Sequence, residues 1–206
     1  MVTILDREND SQDLDKNLKV QEYLDYINEH VQNVIMMYKQ HFYPFLDTVN
    51  ENLIIPNEYF STEDFKAAIE ELSSSIMNHD ASKYGEEEFN AYRRHFHPTK
   101  AEEAEEDQQT QLDEFEEAWK HHYTNNPHHP QYWVNPDTGV SRDMNLGAII
   151  EMICDWDAMS YKFGQNTIDW YENKADKEKK SMTDRTKAIT ELILYKIKDA
   201  ATNTNV

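Results

Sequence analysis

Residues 65–83 read FKAAIEELSSSIMNHDASK. Phe65, Ile69, Leu72 and Ile76 recur at spacings of four, three and four, the rhythm that keeps apolar side chains on one face of an α-helix. The same rhythm carried onward reaches His79 and Asp80, with Lys83 one turn beyond. A stripe at helical spacing faces a core, where an imidazole and a carboxylate need polar partners. A shared metal ion is the simplest partner.

Three other stripes are interrupted in the same way. Tyr23, Ile27, His30, Val34 and Met37 lie along a helix expected from about residue 15 to 42, ending before Pro44. Leu112, Phe115, Trp119 and His122 form a third stripe, and Ala148, Met152, Asp155, Met159 and Phe163 a fourth. All four are expected to converge on one core, which turns His30, His79, Asp80, His122 and Asp155 inward.

Composition sets the class. Four glycines, six prolines and few alternating β-branched runs predict an all-α fold, and 206 residues suit a single domain spanning 1–206. The formal net charge of −20 argues against duplex nucleic acid as a partner, since phosphate neutralisation needs clustered Lys and Arg. Cys154 is the only cysteine, so no intramolecular disulfide forms. The polar first 18 residues do not resemble a signal peptide and no run reaches membrane-spanning length, so a cytoplasmic protein is expected, with no membrane partner.

Along the chain, 53–56 reads as an apolar connector and Ser61 with Asp64 as a capping box opening a helix to about residue 80. A short helix is expected over 86–96. The acidic run 102–107, with Arg93 and Arg94, reads as solvated surface. Three prolines mark 125–142 as a structured loop, followed by a helix over 145–163, an amphipathic piece at 168–171 and a charged connector at 173–180. A last helix covers about 183–199, before a frayed polar tail at 200–206. His41, His95 and His97 read as satisfied core or surface groups, Trp119 as core, and Asp157, off the Asp155 stripe, as exposed or peripheral.

Imidazole nitrogen and carboxylate oxygen suit Mn²⁺, Fe²⁺, Co²⁺, Zn²⁺ or Mg²⁺, and the lack of thiolates argues against a zinc knuckle. Two histidines and two aspartates leave coordination positions for water and a substrate oxygen. Water on such an ion drops from a pKa of about 15.7 toward about 7, while the ion polarises a phosphoryl oxygen. Hydrolysis of a phosphate ester or anhydride is the expected reaction.

The order of these residues resembles the HD-domain superfamily of metal-dependent phosphohydrolases: a helical histidine, His30; an adjacent pair, His79-Asp80; further histidines at 121, 122, 128 and 129; and a late helical aspartate, Asp155. The resemblance covers about residues 20–165 and implies an HD-like helical bundle; the chain also looks like an uncharacterised HD-like branch found in bacteria and their phages. It implies one metal on His30, His79, Asp80 and Asp155, and a second ion near His121, His122, His128 and His129. Asp80 and Lys83 are then catalytic, Lys83 also meeting phosphate, with Tyr132 and Lys162 as substrate contacts. Small HD nucleotidases carry a glutamate shortly after the pair; here Glu86, Glu87 and Glu88 follow Gly85, and Glu86 is the candidate acid or base. The substrate implied is a small phosphorylated molecule such as a nucleotide. A non-catalytic metal- or nucleotide-binding module is the alternative, and the oligomeric state is open.

Overall fold

The computed structural model describes residues 4–44, 59–105 and 108–203. Among them the regular elements are helical, and the one extended pairing is an isolated antiparallel bridge between Val134 and Ser141. The α-helices are α1 (Ile4–His41), α2 (Thr62–Ser75), α3 (Phe89–Phe96), α4 (Lys100–Glu103), α5 (Gln108–Asn125), α6 (Leu146–Lys162), α7 (Thr167–Lys174), α8 (Asp176–Lys180) and α9 (Asp184–Asn203). Short 3₁₀ turns at Ile76–Asn78, Ala81–Tyr84 and Pro130–Trp133 carry the chain past the histidines. The connector expected at 53–56 lies outside the described residues. No helix among those described is long and apolar enough to cross a membrane.

The capping box forms: Ser61 N donates to Asp64 Oδ2 and Asp64 N to Ser61 Oγ, each at 3.0 Å. The helix it opens stops at Ser75, short of the expected residue 80. Ser73, Ser74 and Ser75 turn their hydroxyls onto the carbonyls of Glu70, Glu71 and Leu72, a competing bond that weakens helix propagation. The run at 173–180 is not a plain connector, since its second half is α8.

The chain divides into two compact units, Met1–Glu29 with Asp80–Asn125 and His30–His79 with Asn126–Val206. The second holds the large apolar core. Val34 and Met37 of α1, Phe42 just past its end, Phe65, Ile69, Leu72 and Ile76 around α2, and Ile149, Met152 and Ile153 of α6 pack with Ile168, Tyr171, Ile189 and Ile193. Tyr38 donates its hydroxyl to the Ile69 carbonyl at 2.8 Å, which ties α1 to α2 inside that core. Phe163, placed on the fourth stripe, is exposed, because α6 ends at Lys162 and the chain turns out through Gly164 at φ +61°.

The first unit is smaller and is packed by aromatic pairs. Phe115 packs edge-on to Tyr92 at 5.1 Å between centroids, and Phe89 edge-on to Tyr23 at 5.2 Å. Leu112 is exposed: α5 buries only Ala118 and His122, so its inner face is one turn shorter than the stripe suggested, and Trp119 is half-buried, its ring against His122. Nor is the acidic run wholly solvated. Arg93, 2% exposed, makes a two-pronged pair with Glu102 at 2.6 and 2.5 Å, and that guanidinium holds the Glu102 carboxyl down at about 2.

Candidate metal centre

In the second unit, α6 presents Glu151 and Asp155, one turn apart on the same face, to three histidines from other segments. His79 Nδ1 lies 2.9 Å and His128 Nδ1 3.4 Å from the same oxygen, Glu151 Oε1. Burial pushes the Glu151 carboxyl up, but the hydrogen bonds and charge of His128 and His79 outweigh it and hold it at about 2. An ionised carboxylate only accepts, so both Nδ1 atoms donate, and in the neutral rings each Nε2 carries the lone pair. This is how a carboxylate fixes the tautomer of a metal-binding histidine.

Asp155 supplies the opposing oxygen. Its Oδ1 lies 3.1 Å from His30 Nε2 and 3.9 Å from His79 Nε2, and the rings of His30 and His79 are 5.4 Å apart. Burial raises the Asp155 carboxyl, yet the bond to His30 and the charges of His30, His79 and His128 carry it well below the usual carboxylate range. Donor atoms around a tetrahedral ion with bonds of about 2.1 Å sit roughly 3.4 Å apart. The two separations bracket that value, so both histidine nitrogens lie at ligand-like distances from Asp155 Oδ1. His79, His128 and Glu151 form a second converging group, one ligand atom from each lying within 4.8 Å of the others. Buried histidine and carboxylate groups here can hold a metal ion.

The first unit repeats the device around another glutamate. Glu88 Oε1 meets His121 Nδ1 and Glu88 Oε2 meets His122 Nδ1, both at 2.8 Å. His122 Nε2 faces Asp80 Oδ1 at 3.2 Å, and Lys83 donates to Asp80 Oδ2 at 2.6 Å. Burial raises the Glu88 carboxyl, and the bonds to His122, His121 and Ser82 lower it further than burial raises it. Asp80 takes a left-handed backbone conformation, φ 58° and ψ 21°, alone among the described non-glycine residues. Asp tolerates that region better than most residues, and strain of this kind collects at working sites.

This backbone corrects the reading of the pair as the end of a helix. His79 and Asp80 sit between two 3₁₀ turns, and Lys83 reaches Asp80 across the tight turn of residues 80–83, closed by Lys83 N to the Asp80 carbonyl at 3.0 Å. Of the other expected residues, His128 is buried and His129 is its neighbour, ring centroids 4.2 Å apart. Tyr132 lies on the next turn with its ring against Trp133. Lys162 is two turns past Asp155, about 10 Å along the axis, so α6 does not bring it to the ligands. Glu86 is exposed; the carboxylate this turn carries inward is Glu88.

Glu151 and Glu88 are the functional residues that stripe counting missed. Glu151 had a signal, a carboxylate one turn before Asp155 in the otherwise apolar run AIIEMICDW. Glu88 was visible only as one of three consecutive glutamates.

The profile of a family of unknown function matches residues 19–196, which include every one of these ligands. The chain belongs to that family, DUF5662. No curated protein and no solved structure matches it. For this DUF5662 chain the histidines and carboxylates themselves are therefore the functional information.

Proposed function

We propose that this DUF5662 chain is an HD-type metal-dependent phosphohydrolase acting on a small phosphorylated substrate, most simply a nucleotide. The observation that carries the reading is the pair of Nε2 atoms, on His30 and His79, facing Asp155 Oδ1, with Glu151 holding His79 by its other nitrogen. The HD resemblance adds Asp80, the next residue in the chain after His79, to that ligand set. Within the second unit, His79, His128 and Glu151 form a further converging group.

A divalent ion bound there supplies Lewis acidity to a phosphoryl oxygen and a water nucleophile at neutral pH. The chain's own residues do the rest. Glu151 fixes the ring orientation of His79, and Glu88 that of His121 and His122, so the donors need no reorganisation. Lys83, beside Asp80, supplies the cation for a phosphoryl oxygen, a local positive charge in a chain of net charge −20. Water oxygen bonds to phosphorus, the bond to the leaving oxygen breaks, and that oxygen takes up a proton.

The competing reading, a non-catalytic metal- or nucleotide-binding module, is favoured by one observation: Lys83 is already engaged by Asp80 at 2.6 Å. Phosphate release from a nucleotide panel with added Mn²⁺ separates the two. The hydrolase releases phosphate or pyrophosphate and loses that activity in His30→Ala and Asp155→Ala; thermal stabilisation by the same nucleotides without turnover makes it a module.

A further inference from the structure

Successive residues on a helix are 100° apart, so Ile153, Asp157 and Tyr161 of α6 point away from the Glu151–Asp155 face. They line a separate cleft of about 330 Å³, within the second unit, whose other walls come from the end of α1, the start of α7 and the end of α9. That volume lies at the small end of ligand pockets, roughly 300–1,000 Å³. Its floor is apolar, with Ile153, Ile168 and Leu194 buried, and Tyr161 stands at 60% exposure.

The polar groups are ordered rather than solvated. His41 Nε2 lies 2.8 Å from Asp157 Oδ2, and Thr167 Oγ1 donates to Asp157 Oδ1. Both oxygens of the only carboxylate in the lining are thus engaged, and a cationic ligand would have to displace a bond to reach either. An anion meets the opposite situation. Lys198 lines the cleft as an exposed lysine. In a chain with twice as many acidic as basic side chains, a lining that holds one lysine and one carboxylate, both of whose oxygens are engaged, departs from the rest of the surface.

We propose that this cleft binds a small organic anion, one acidic group on a compact apolar body, at a site separate from the metal centre. The acidic group pairs with Lys198, and the body lies on Ile153, Ile168 and Leu194 beneath Tyr161.

The probe is 1-anilinonaphthalene-8-sulfonate, an aromatic body with one sulfonate, titrated by fluorescence against the full chain under native conditions. One saturable equivalent is expected. Binding should fall at least about tenfold in Lys198→Glu, a surface change that leaves the fold intact by circular dichroism, and fall in Tyr161→Ala. N-phenyl-1-naphthylamine, the same body without the sulfonate, should bind at least about tenfold more weakly. Chelator should leave probe binding unchanged, which also separates this inference from the hydrolase reading. The proposal is overturned by absent or unsaturable binding, by equal binding in Lys198→Glu, by equal affinity for the uncharged probe, or by loss of binding with chelator.

Discussion

Glu88 in the first unit and Glu151 in the second do the same thing with different access to water. Each meets two imidazoles at Nδ1, and in each cluster the Nε2 of one of those rings faces an aspartate, His122 toward Asp80 and His79 toward Asp155. The Glu88 side chain is 0% exposed and so is His122, with His121 the ring of that cluster that reaches solvent, at 37%, whereas the Glu151 side chain is 20% exposed and Asp155 14%, around a fully buried His79. The enclosed cluster is built for rigidity, because a buried charge network persists only if every member is satisfied. The open one combines ligands with a route for solvent, which substrate chemistry requires.

The largest expected effect tests the open cluster. His79→Ala removes the ring shared by Glu151 and Asp155, and metal content of the purified protein by elemental analysis should drop to background; full occupancy would break the assignment of this cluster as the metal centre. Next comes the enclosed cluster. Glu88→Ala leaves two imidazoles without their acceptor, one of them, His122, fully buried, and a loss of about 3 kcal/mol is expected in urea unfolding. A loss below about 1 kcal/mol would mean that the contrast in burial carries no energetic weight.

Glu151→Gln keeps the shape but not the charge that fixes the His79 tautomer, and should weaken metal binding by about 10–100-fold in a competition titration. Unchanged affinity would reduce Glu151 to a bystander. The same residue gives a smaller pH effect. Its folded pKa of about 2 lies below the ordinary 4.5, so its stabilisation is complete above pH 4.5 and is lost as pH falls toward 2. In chelator, wild type should lose on the order of 2 kcal/mol more than Glu151→Gln between pH 5 and pH 3, by urea midpoints. Equal slopes would show that the carboxyl is not held ionised. Smallest of all, Glu86→Gln changes an exposed side chain and should move stability by less than about 0.5 kcal/mol.

The stripes explain how much of this was legible. Phe65, Ile69, Leu72 and Ile76 are buried as their spacing requires, as are Tyr23, Ile27, His30, Val34 and Met37, because helical period and burial are coupled by geometry. The same spacing overextended α2, since the competition between serine hydroxyls and the backbone is invisible to a count of apolar positions. It also understated what lay off a stripe. His41, read as ordinary, and Asp157, read as peripheral, pair at 2.8 Å across 116 residues of chain. Arg93 is buried for the same kind of reason: Glu102, nine residues away, neutralises it.

By itself the sequence determined the helical class, the inward turn of His30, His79, His122 and Asp155, and the chemical type of their ligands, all consequences of residue type and local period. Tertiary structure decided which carboxylate grips which ring. Glu88 rather than Glu86 takes His121 and His122, and Glu151 takes His79 and His128. Contacts of that kind join residues 23 to 72 positions apart. They are set by how helices pack in three dimensions, which no periodicity along the chain records.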